Sequence, residues 1–149
     1  QSLPVVSIAL ATDDLFGATR GIYANPQNRS VTWERPASAE LFYPDGSRDG
    51  FQVNCGIRVA GGASRDPGHT PKHGLRLLFK SVYGAGKLRY PFFDDSDVDR
   101  FDTIQFRPNY AAFVRLMDGR YMRKEVIPPI ADFERAMKIN AFEVSPVFA

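Results

Sequence analysis

The stretch that most constrains this chain runs from Phe51 to Lys80. Phe51, Val53, Cys55, Ile57 and Val59 alternate with Gln52, Asn54, Gly56, Arg58 and Ala60, the period of two that marks a strand with one face in a core. Gly61 and Gly62 end that strand with residues that adopt backbone angles closed to others. Ser64, Arg65, His69, Lys72, His73 and Arg76 then place polar and basic groups within a short loop, and Leu75, Leu77, Leu78 and Phe79 return the chain to the core. Two apolar strands that bracket a glycine turn and a cluster of cations form a place where phosphate can be held. The plainer reading gives the glycines only a tight turn and the cations only solvent.

The rest of the chain supports a sheet. Leu3–Leu10 (LPVVSIAL) is a β-rich run that Pro4 confines to an edge or a strand start. Thr12, as a cap, opens a short helical turn through Asp13, Asp14, Leu15 and Phe16. Gly17 to Arg35 reads as a loop anchored by Ile22, Tyr23 and Trp33. Ala37–Tyr43 is a second strand, and Pro44-Asp45-Gly46 is a turn that pairs it antiparallel with the Phe51 strand. Tyr83 to Lys87 is a loop, Asp94 to Asp99 an acidic turn, and Phe101–Arg107 (FDTIQFR) another alternating strand. Ala112–Met117, Asp118-Gly119 and Arg120–Val126 form a hairpin signature, and Asp132–Lys138 a short helix. The expected fold class is α+β, mainly antiparallel β-sheet with one or two short helices, in one domain over 1–149.

Composition narrows the function classes. Nineteen basic against seventeen acidic residues give a net charge of +2, which is no nucleic-acid footprint. No apolar run reaches the length of a membrane span. Cys55 is the single cysteine, so no internal disulfide forms, and its inward strand position makes it a small core residue. Beginning at Gln1, the sequence reads as a piece of something longer. His69 and His73 have a zinc-like spacing but no cysteine beside them, and read as solvent-exposed loop histidines. Asp95, Asp97 and Asp99 mimic the start of a calcium loop, yet Arg100 takes the glycine position. No metal site is expected.

From about residue 3 to 107 the sequence resembles the N-terminal portion of the CotH kinase family, the spore coat protein H-like atypical kinases, in versions found in large bacterial surface and lamin-tail-containing proteins. The words that carry the resemblance are LPVVSIAL, DDLF with GIY, WERPASAELF, GFQVNCGIRVAGGASR, PKHGLRLLFKSVYGAGKLRYPFF and FDTIQFR, in that order. The resemblance implies the nucleotide-covering part of an ATP- and Mg-dependent protein kinase, at the cell surface or outside the cell. By position it implies phosphate contacts from Arg58, Gly61, Gly62, Ser64, Arg65, Lys72 and Arg76, with Lys72 and Arg76 the foremost charge contacts.

Ala60 stands where the family often has a basic residue, and Gly74 where it has a serine. After Arg107 no counterpart of the family's catalytic half, with its metal-binding carboxylates, can be assigned, and residues 108–149 are read as a hairpin plus a short helix. On its own the chain is expected to bind nucleotide without being a competent kinase. The alternative is a non-catalytic β-rich interaction module on a degenerate CotH scaffold.

Overall fold

The structure is a computed structural model that describes residues 4–68, 72–94 and 97–106 and the backbone of a strand at 143–147. Eight strands are assigned there: β1 (Val5–Ala9), β2 (Arg35–Phe42), β3 (Phe51–Ala60), β4 (Gly74–Leu78), β5 (Leu88–Arg89), β6 (Arg100–Phe101), β7 (Thr103–Phe106) and β8 (Glu143–Val147). One short helix, α1 (Thr12–Phe16), and two 3-10 turns at Val31–Trp33 and Ala63–Arg65 complete the described elements. The architecture is a mainly antiparallel sheet, as the alternation requires.

The main sheet has the order β7-β4-β3-β2-β1-β8. All neighbours are antiparallel except β8, which runs parallel to β1 at the edge. An edge position suits β8, because Pro146 has no N–H to give to a ladder. Strand β1 begins directly after Pro4, so the proline marks a strand start. The register fixes one apolar face. Val6 lies opposite Leu41, Leu41 opposite Phe51, Ile57 opposite Leu77, and Leu77 opposite Ile104. That face is covered by Leu15, Ile22, Phe79, Leu88 and Tyr90. Val6, Ile8, Leu41, Cys55, Ile57 and Leu77 are fully buried, each side chain contributing about 1.5–3 kcal/mol of transfer free energy for the larger aliphatics.

Several local expectations change. Thr12 is the first residue of α1 and makes no cap; Ala11 occupies that position, and its carbonyl accepts from the amides of Asp14 and Leu15. The segment expected as one strand over Phe101–Arg107 divides at Asp102: β6 pairs with β5, and β7 pairs with β4. The division follows from the path of the neighbouring chain. The Phe79 amide donates to the Asp102 carbonyl at 2.8 Å as the chain leaves the sheet. Strand β5 then supplies a new partner. The Tyr43–Gly46 turn forms as expected, with the Gly46 amide on the Tyr43 carbonyl at 2.9 Å. The expected hairpin at 112–126 and helix at 132–138, and Arg107 itself, lie outside the described residues.

Candidate functional site

Two buried arginines build the site by tying down a loop that the sequence shows only as irregular. Arg35 begins β2 on the apolar face, where an unpaired charge would be costly. Its guanidinium donates to the Arg20 carbonyl through Nε at 3.1 Å and Nη2 at 2.7 Å, and through Nη1 to the carbonyls of Thr32 at 2.8 Å and Glu34 at 3.0 Å. It also lies over the Trp33 ring, 5.3 Å from the centroid. Arg65 does the same from the other side. Its Nε donates to Gly61 O at 2.8 Å, Nη1 to Pro26 O at 2.7 Å and Asn28 O at 3.0 Å, and Nη2 to Val59 O. The loop from Gly17 to Glu34 is thereby fixed against the ends of β2 and β3.

That loop and the sheet enclose a cleft of about 220 Å³. Arg29, Ser30 and Trp33 line it from the loop, and Arg58, Gly61, Arg65 and Arg76 from the sheet. Ser30 has φ of 92°, the one non-glycine residue with positive φ among those described. Gly61 has φ of 108°, and a Cβ there would collide with Ser64 Oγ. Gly61 takes its angle without strain, whereas Ser30 is held in a backbone region that costs a non-glycine residue on the order of 1–3 kcal/mol.

The electrostatics of the cleft are one-sided. Among the described residues, four arginines and no carboxylate line it. Arg76 donates from Nη2 to the neutral Gln105 Oε1 at 2.8 Å, and Arg29 makes no hydrogen bond or ion pair with the described residues. Burial, with the like charges of Arg29 and Arg76 nearby, holds the Arg65 guanidinium below its ordinary pKa. A cleft whose cations repel one another favours an anion.

Behind Arg58 the charge is balanced by a residue that the sequence reading did not single out. The Glu34 side chain is 2% exposed. Its Oε2 accepts from Arg58 Nε at 2.7 Å, both oxygens accept from Lys80 Nζ at 2.9 Å, and Oε1 accepts from the Tyr83 hydroxyl at 2.7 Å. Burial pushes this carboxyl up, but the bonds from Lys80, Tyr83 and Arg58 outweigh it and hold it below its usual value. Burial and the adjacent carboxylate push the Tyr83 hydroxyl up to about 12. Gly56 makes the arrangement possible, since a Cβ there would lie 2.6 Å from Tyr83 Cε2 and 2.9 Å from Glu34 Oε1.

Of the residues assigned by resemblance, the structure brings Arg58, Gly61, Arg65 and Arg76 together at the cleft. Gly62, Ser64 and Lys72 do not line it. Arg65 spends four N–H groups on carbonyls, so its geometry is that of a strut. Ser64 turns its hydroxyl toward Gly61 and its carbonyl toward His73. His73 is buried, contrary to the expectation of an exposed loop histidine: Nδ1 meets Ser64 O at 2.8 Å, its amide donates to the Tyr23 hydroxyl at 3.1 Å, and the two rings lie 4.8 Å apart. His69 lies outside the described residues. Arg29, Trp33, Glu34 and Lys80 are the additions.

No family model, curated protein or solved structure matches the chain. Among the described residues no helix is long and apolar enough to cross a membrane.

Proposed function

We propose that this chain is a phosphate-binding β module, the nucleotide-facing part of a CotH-type kinase scaffold, which holds the phosphates of ATP in its arginine cleft. The observation that carries the reading is the convergence of Arg29, Arg58 and Arg76 on one concavity that no carboxylate among the described residues lines. Guanidinium forks match the geometry of phosphate oxygens.

The resemblance implies both ATP and Mg, and the described residues suit them unequally. Arg29, Arg58 and Arg76 fit the phosphates. A magnesium ion needs oxygen ligands, and the described residues hold no group of three or more His, Cys, Asp or Glu side chains that could supply them. Glu34, which pairs with the lining residue Arg58, already has both oxygens occupied. Phosphoryl transfer also calls for a group that orients the attacking hydroxyl. The role supported here is binding.

Calorimetric titration of the chain with ATP tests the reading. Binding is expected for the parent and is expected to fall in Arg29→Gln and Arg76→Gln. A folded parent that shows no heat of binding removes the reading and leaves a non-catalytic interaction module.

A further inference from the structure

Resting on the phosphate reading above, we propose that the cleft recognises the phosphate chain alone. It takes the end of a di- or triphosphate directly onto guanidinium groups, with no divalent cation between them and no contact to a nucleoside.

Size is the first reason. The cleft measures about 220 Å³, below the roughly 300–1,000 Å³ of pockets that enclose drug-sized ligands. It accommodates a phosphate end and leaves the remainder of a nucleotide outside. The Trp33 ring, the one aromatic among the described lining residues, is covered on one side by the Arg35 guanidinium, which lowers its value as a platform for a base.

Charge is the second. Arg58 has its counter-charge in Glu34 at 2.5 Å. Arg65 and Arg76 donate to neutral carbonyl and amide oxygens. Arg29, Arg65 and Arg76 therefore place three positive charges about the cleft with no neutralising carboxylate among the described residues of its lining. A cation entering with the ligand meets that repulsion, and coordination to Mg²⁺ removes two of the negative charges that the arginines would otherwise meet.

Donor geometry is the third. Gln105 takes a single N–H of Arg76, on Nη2, so one two-donor edge of the guanidinium, Nε with Nη2 or Nη1 with Nη2, remains for a bidentate contact to phosphate oxygens. Glu34 holds Arg58 through Nε and Nη2 in the same way, leaving Nη1.

The test titrates the full chain with tripolyphosphate, ATP and adenosine, each with and without Mg²⁺, at one low ionic strength. Tripolyphosphate and ATP are expected to bind with dissociation constants within about threefold of each other, and adenosine not to bind. Mg²⁺ is expected to weaken both ligands by about fivefold or more. Arg29→Gln and Arg76→Gln are each expected to weaken tripolyphosphate by about tenfold with an unchanged circular dichroism spectrum, whereas Lys87→Gln, whose ammonium pairs with Asp102 away from the cleft lining, leaves it unchanged. ATP binding tenfold or more tighter than tripolyphosphate would overturn the inference, as would tightening by Mg²⁺. Loss of affinity in Lys87→Gln equal to that in the cleft variants would overturn it too. If a folded chain binds none of the anions, the phosphate reading itself falls, and with it this inference.

Discussion

Arg58 on β3 and Arg76 on β4 stand directly opposite each other across the sheet. Like charges at such positions are destabilising on the scale of about 0.2–1 kcal/mol. Glu34 offsets one member of the pair and leaves the other facing the cleft. Arg76→Gln is therefore expected to raise stability by about 0.3 kcal/mol while reducing anion affinity, read by urea denaturation and titration of the same sample. A loss of stability above about 1 kcal/mol would show that Arg76 serves the fold and not a ligand.

Arg65 is expected to behave in the opposite way. Hydrogen bonds from a charged donor each contribute about 1.5–3 kcal/mol, and four of them join Arg65 to backbone carbonyls. Arg65→Gln should lower unfolding free energy by about 3 kcal/mol, and Arg65→Lys should not restore it, because a compact ammonium cannot span the four carbonyls. Equal stability of parent and Arg65→Lys would contradict the strut role.

Glu34 links stability to acid pH. Its carboxyl is lowered from an ordinary value near 4.5 in the folded chain, so below that value the unfolded chain binds the proton more readily than the folded one. The contribution is present in full above about 4.5 and lost as pH falls through the folded pKa. Glu34→Gln should be less stable than the parent by about 2 kcal/mol at neutral pH, with the gap closing as pH falls from about 4.5 through the lowered pKa of the folded chain. A gap that stays constant over that interval would refute the linkage.

Gly56→Ala tests the space that Glu34 and Tyr83 share. The added methyl would lie 2.6 Å from Tyr83 Cε2 and 2.9 Å from Glu34 Oε1, and overpacking of this kind costs about 1–3 kcal/mol. Moving Tyr83 off the carboxylate should also bring its hydroxyl down from about 12, which ultraviolet titration of the tyrosinate detects. An alanine variant as stable as the parent would mean the pocket yields freely.

Cys55 lies at the middle of β3 with no exposed surface, and burial pushes its thiol up to about 12. At neutral pH it should resist a thiol reagent in the native chain and react stoichiometrically in denaturant, at a rate set by opening of the sheet. Fast reaction in native buffer would show that β3 is not in the core.

The sheet was legible because strand periodicity is a local signal. Phe51 to Val59 alternate, the register follows from that alternation, and Pro44-Asp45-Gly46 sets the antiparallel return. The break at Asp102 was not legible, since it depends on where Phe79 leaves the neighbouring strand. The candidate site was half legible: the Gly61 turn, Arg58 and Arg76 stand in one recognisable stretch. The resemblance to a kinase lobe pointed to that stretch and did not distinguish the strut Arg65 from the cleft-facing Arg76.

The sequence by itself determined the alternating strands, their apolar face, the Tyr43–Gly46 turn and the supply of arginines around residues 58–76. Only the tertiary structure decided which of those arginines are consumed by backbone carbonyls, which one Glu34 neutralises, and that Arg29 comes from a distant loop to complete the cleft. The physical reason is range. Side-chain alternation is written between neighbours, whereas the balance of buried charge depends on groups 24 to 46 positions apart, such as Glu34 with Arg58 and Lys80.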